Sequence, residues 1–79
     1  MKVSVLFFGA TADAAGMREI EIDFPADAKA SDAFGEIVGK FPQLAQHKLL
    51  FALNQEYSSG GETIKNGDEL AVFTAVSGG

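Results

Sequence analysis

The chain predicts an α+β fold, a mixed sheet with one main helix packed on one face. Three patterns lead there. Arg18 to Phe24 alternates, with Ile20, Ile22 and Phe24 on one side and Glu19, Glu21 and Asp23 on the other, the period of a half-buried strand. Phe34, Ile37, Val38 and Phe41 recur at i, i+3, i+4 and i+7, a single apolar stripe on a helix over Ser31–Phe41. Val3–Phe8 and Glu69–Ala75 are apolar on both faces, which places them side by side, parallel, at the centre of the sheet.

Taken in order, the first strand puts Val3, Val5 and Phe7 on one face and Ser4, Leu6 and Phe8 on the other. Gly9 to Gly16 is small and loosely helical and reads as a connection. Its glycines do not have the G-x-G-x-x-G spacing of a dinucleotide site, nor does it match a P-loop. Pro25 ends the second strand. At the helix start Ser31 or Ala30 takes the N-cap, and Asp32 in the first turn suits the helix dipole. Gly35 and Gly39 lie off the stripe and weaken the helix by about 1 kcal/mol each relative to Ala. Pro42 stops it and begins a short turn through Gln46. His47, the one histidine, has neither a nucleophile nor a second ligand near it in sequence and reads as a surface residue.

Leu49–Asn54 is a third strand, Tyr57–Gly61 a flexible loop, and Lys65–Asp68 a turn whose Asn-Gly pair suits positive φ. The last strand sets Leu70, Val72, Thr74 and Val76 against Ala71, Phe73 and Ala75. If the helix covers the Val5/Val72 face, Phe8 and Phe73 are left on the open one. Exposed aromatic side chains there form a docking surface, unless loops cover them or the faces are reversed.

Composition narrows the function classes. With 79 residues, 47% hydrophobic and 22% charged, the expectation is one globular domain over residues 1–79 with a flexible Gly-Gly tail at about 76–79. There are 0 cysteines, hence no disulfide and no thiolate ligand. The acids on the second strand alternate as a solvated face does, and no metal site is expected. A net charge of -5 argues against nucleic acid and suits a basic protein partner or simply solubility. Neither a signal-peptide pattern nor a bilayer-spanning stretch is present, so the cytoplasm is the expected compartment and no membrane is involved.

Val76-Ser77-Gly78-Gly79 follows the apolar run Leu70–Phe73. Two glycines before a free carboxylate make a thread thin enough for a partner's active site, because glycine has no side chain and few backbone restrictions. The same four residues also read as a frayed terminus. Nothing elsewhere forms a catalytic constellation.

Val5-Leu6-Phe7-Phe8-Gly9, Leu53-Asn54-Gln55, Asn66-Gly67-Asp68-Glu69-Leu70 and Val76-Ser77-Gly78-Gly79 together resemble the small subunit of molybdopterin synthase, in the same order and over the whole chain. The resemblance implies the β-grasp fold of ubiquitin and the role of a sulfur carrier. It implies that a ubiquitin-activating-enzyme-like adenylyltransferase uses ATP to adenylate the terminal glycine, which becomes a thiocarboxylate, a C-terminal 1-thioglycine, with no cofactor tightly bound. The charged tail then enters the large synthase subunit, in a heterotetramer of two small and two large subunits, and donates sulfur for the dithiolene of molybdopterin. On this chain Gly79 would carry the thiocarboxylate and Gly78 the narrow approach, with Val76 and Ser77 beside them. Phe8, Tyr57 and Phe73 match the apolar partner contact. Family members often have two prolines where Thr74 and Ala75 stand, and an arginine-glutamate pair where Ala12 and Asp13 lie. The alternatives are a sulfur carrier for thiamin thiazole or a tungsten cofactor, and a ubiquitin-like protein modifier.

Overall fold

The computed structural model describes residues 1–75. The chain runs β1 (Lys2–Phe7), α1 (Ala10–Ala15), β2 (Glu19–Asp23), α2 (Ala30–Lys40), a 3₁₀ turn (Pro42–Gln46), β3 (Leu49–Leu53), β4 (Glu56–Tyr57) and β5 (Glu69–Thr74). Among the described residues the five strands form one sheet in the order β2-β1-β5-β3-β4. β1 and β5 lie parallel at its centre, Val5 beside Leu70 and Phe7 beside Val72, while the other neighbours are antiparallel. The expected mixed sheet with one covering helix is therefore present, with its two doubly apolar strands paired as their composition requires.

The covered face is dry. Val3, Val5, Leu70 and Val72 are fully buried and Phe7 nearly so, against Ile37 of α2 and Leu44 of the 3₁₀ turn. Ring packing locks the helix to the sheet: Phe34 stacks on Phe51 with centroids 3.7 Å apart, and Phe41 meets Phe7 edge-on at 5.4 Å. The stripe is broader than its large residues suggest. Ala30 and Ala33 are completely buried beside Ile37, whereas Phe34, Val38 and Phe41 are half-buried at its margins.

Several boundaries differ from the sequence reading. The N-cap of α2 is Lys29, not Ser31 or Ala30. Asp32 accepts the Lys29 amide at 3.0 Å, and the chain at residues 60–62 supplies carbonyls to the next amides, Gly60 to Ser31 and Glu62 to Ala30. The free helix donors are thus met by a distant loop, and a hydroxyl cap is unnecessary. Gly9–Gly16 is not a mere connection but holds the six-residue α1, closed by Gly16 at φ 75°. β1 stops at Phe7 and β5 at Thr74. Tyr57 lies in β4 rather than in a loop, because β3 turns back immediately: Leu53 pairs with Glu56 across Asn54 and Gln55, both at positive φ. That geometry is the two-residue hairpin in which Asn is favoured.

The motif residues that carried the family resemblance bind strands together. The Asn54 side chain accepts from the Glu69 amide at 2.9 Å and donates to Asp68 at 3.0 Å. Asn66 accepts the Lys2 amide at 2.8 Å, and Asp68 accepts that of Lys65 at 2.7 Å. One polar cluster thus ties the ends of β1, β3 and β5.

Candidate functional site

Among the described residues no helix lies over the second face of the same sheet. Register decides its membership. Paired residues share a face, so Ala71 and Phe73 on β5 stand with Leu6 on β1, Ala52 and Leu50 on β3, and Tyr57 on β4. Leu6, Leu50, Ala52, Ala71 and Phe73 are each half-buried, and Tyr57 is 76% exposed. The Tyr57 and Phe73 rings meet at 5.9 Å. Phe8, 52% exposed, directly follows β1, one residue beyond the Phe7–Val72 pair, and β1 is the strand next to that of Phe73. The apolar surface thus widens toward the end where β5 leaves the sheet.

Toward the opposite end the same face turns polar. Glu21 pairs with Ser4, which pairs with Glu69, and Asp23 pairs with Lys2. Lys2 lies 3.8 Å from Glu21 across the exposed strand pair. Beside Phe8 an open hollow of about 550 Å³ is bordered by Leu6, Gly9, Ala12, Asp13 and Arg18.

The segment after Tyr57, read as flexible, is organised by Glu62. Its carboxylate accepts from the Ser58 hydroxyl at 2.6 Å, the Gly60 amide at 3.1 Å and the Ser59 amide at 3.3 Å. These donors, the Ser58 hydroxyl foremost, hold Glu62 below the usual carboxylate range. The segment therefore anchors β4, and Tyr57 with it, to the start of α2. His47 is exposed, as read from sequence.

Of the sequence-predicted site residues, Phe73 and Tyr57 are brought into contact and Phe8 lies at the same end of the sheet. Val76, Ser77, Gly78 and Gly79 lie outside the described residues. Sequence reading set Leu6 with Phe8 and Ala71 with Phe73, as the register does, but missed Leu50 and Ala52 as members of the face. Alternation within each strand was visible, but which residues of different strands share a face required the register. It also missed Thr11, a fully buried polar side chain in α1, because a threonine in a small-residue connection gives no sequence signal.

Comparison with known proteins places this geometry. Residues 5–79 match the family model described as the ThiS family. The chain belongs to the ThiS family. One member of similar sequence is the molybdopterin synthase sulfur carrier subunit of Homo sapiens, 36% identical over 83 aligned positions that take in 99% of this chain and 94% of the human one. Another is small archaeal modifier protein 1 of Haloferax volcanii, 34% identical over 91% of this chain and 94% of its own. The crystal structure of SAMP1 from Haloferax volcanii superposes with a TM-score of 0.88 at 31% identity, covering 100% of both chains. This ThiS-family chain accordingly has the β-grasp fold of ubiquitin.

Proposed function

We propose that this protein is the sulfur carrier of a molybdopterin synthase, with Gly79 as the carrying residue and the open sheet face as the surface that docks its partners. The observation that carries the reading is near-full-length likeness, 36% identical over 99% of the chain, to a relative bearing that name. The arrangement of the face supports it: the apolar half lies at the end where β5 delivers the chain to Val76-Ser77-Gly78-Gly79. A partner that seats on Tyr57 and Phe73 is positioned to receive whatever follows Ala75.

In this reading the Gly79 carboxylate attacks the α-phosphorus of ATP on an adenylyltransferase partner and expels pyrophosphate. A sulfide-equivalent nucleophile then attacks the acyl carbon, AMP leaves, and a thiocarboxylate remains. In the large synthase subunit its sulfur passes to the pterin precursor, the acyl carbon ends bonded to oxygen from water, and the carrier returns as the carboxylate. A carboxylate is a poor electrophile, so the phosphoanhydride supplies the missing leaving group. The carrier itself contributes a thin tail and a docking face; general acids and bases belong to its partners. Two transfers complete one dithiolene, which suits an assembly of two small and two large subunits. The cytoplasm, where ATP and the pterin precursor are available, is the proposed compartment. No helix among the described residues is long and apolar enough to cross a membrane.

The test is intact mass after incubation with ATP, the adenylyltransferase and a sulfur source. One oxygen replaced by sulfur is expected for the full chain and none for a chain lacking Gly78 and Gly79. Exchange in the shortened chain sinks the reading. Likeness to the archaeal modifier supports a second reading, conjugation to lysines. It predicts a ladder of conjugates on a denaturing gel, where the carrier reading predicts free protein.

A further inference from the structure

We propose that Thr11 is a positioning residue for partner docking: its hydroxyl is interposed in the β1–β5 ladder and sets where the Phe8 ring stands. The inference rests on the reading of the open face as a docking surface. Along this parallel pair the even-numbered amides of β1 face β5, since the Ser4 amide donates to the Asp68 carbonyl while the Phe7 amide turns away to Arg18 on the other side. Continuing by two residues on each strand, the rung after Leu6 would run from the Phe8 amide to the Val72 carbonyl.

That direct rung is replaced. The Phe8 amide donates instead to Thr11 Oγ1 at 2.9 Å, and Thr11 Oγ1 donates onward to the Val72 carbonyl at 2.6 Å. The Phe8 carbonyl is 3.0 Å from the same hydroxyl and accepts the Thr11 amide at 3.2 Å. One hydroxyl oxygen can accept from one strand while donating its single proton to the other, which an apolar side chain cannot do. The Thr11 hydroxyl thus stands between the Phe8 amide, just past the end of β1, and β5, and on the open face Phe8 is 52% exposed where Leu6, two residues before it, is half-buried. Thr11 itself is fully buried. Nothing intrinsic holds it there: α1 has six residues and no side-chain cap at Gly9. So short a helix is marginal alone. The bridge therefore couples α1, Phe8 and the strand that carries Phe73.

The experiment is a double-mutant cycle on the full chain, binding the large subunit of a molybdopterin synthase from the same source. Thr11→Val and Phe8→Ala are each expected to raise Kd about tenfold or more, and Thr11→Ser, which keeps the hydroxyl, to stay within about threefold of the parent. In the Phe8→Ala background Thr11→Val is expected to add nothing, because it acts through that ring. A merely structural Thr11 would give additive losses, and additivity overturns the proposal. So does parental affinity in Thr11→Val when Phe8→Ala binds weakly. Parental affinity in both Phe8→Ala and Phe73→Glu removes the docking surface itself, a different failure. If Thr11→Val does not fold, amide exchange in the parent decides. The Phe8 amide is expected to be as protected as that of Leu6, and exchange at the rate of an open loop overturns the bridge.

Discussion

The two faces of one sheet are made from the same strands, and in their apolar halves they differ chiefly in what lies over them. Val5, Phe7, Leu70 and Val72 face α2 and are at most 2% exposed; Leu6, Ala71 and Phe73, their immediate neighbours in sequence, are half-buried with no helix above them. Hydrophobicity alone does not separate the core from the proposed docking surface. A fold that retains leucine and phenylalanine together on an uncovered face has a reason to do so outside its own stability. Residues of the covered face should therefore govern folding, and those of the open face association.

The largest expected effect breaks the covered face. Ile37 is fully buried, and Ile37→Ala should cost about 2–5 kcal/mol in denaturant unfolding, because the side chain is lost and the rigid sheet below does not collapse into the gap. A loss under 1 kcal/mol, on the same scale, would mean the helix is not what closes the core. The matching change on the open face is Phe73→Glu. It should weaken binding of the large subunit by at least about 2 kcal/mol, measured by calorimetry, with the thermal transition near that of the parent. If the variant unfolds instead, Phe73 belongs to the core and the distinction between the faces fails.

Smaller changes sharpen the comparison by adjusting the cover. A Cβ placed at Gly35 or Gly39 meets nothing within 4 Å. Gly35→Ala and Gly39→Ala should each raise stability by up to about 1 kcal/mol and leave partner affinity unchanged. Gly60 is the contrasting case, at φ 97° with a Cβ 3.3 Å from Ser31. Substitution there should loosen the loop that caps α2.

The smallest effect is the pH dependence of that loop. Glu62 is held below its ordinary value of 4.5 by the Ser58 hydroxyl first and by the backbone amides behind it. The folded state thus binds its proton more weakly than the unfolded state. Its contribution is present above pH 4.5 and is lost as the pH falls through the lower, folded value. Unfolding curves of the parent and Glu62→Gln should differ near neutral pH and converge in acid. Curves separated by the same amount at every pH would show that the carboxylate charge is not what organises the loop.

Much of this was legible in the sequence, for a physical reason. A strand repeats every two residues and a helix every 3.6, so Ile20-Glu21-Ile22 and the Phe34–Phe41 stripe declare their elements locally. The doubly apolar β1 and β5 declared their central position in the same way, and their alternation put Phe8 and Phe73 on the open face, whereas Tyr57, in a stretch that reads as a loop, entered only through the family resemblance. Only the tertiary structure decided which strands' open residues share a row, because register depends on partners far apart in the chain: Tyr57 meets Phe73 through Ala52 and Leu50. It also decided that Lys29 begins α2, since the carbonyls of Gly60 and Glu62 do what a local serine would have done. And it decided the role of Thr11, whose hydroxyl stands between Phe8 and a carbonyl 61 residues further on. A hydrogen bond of that range leaves no mark in either local sequence.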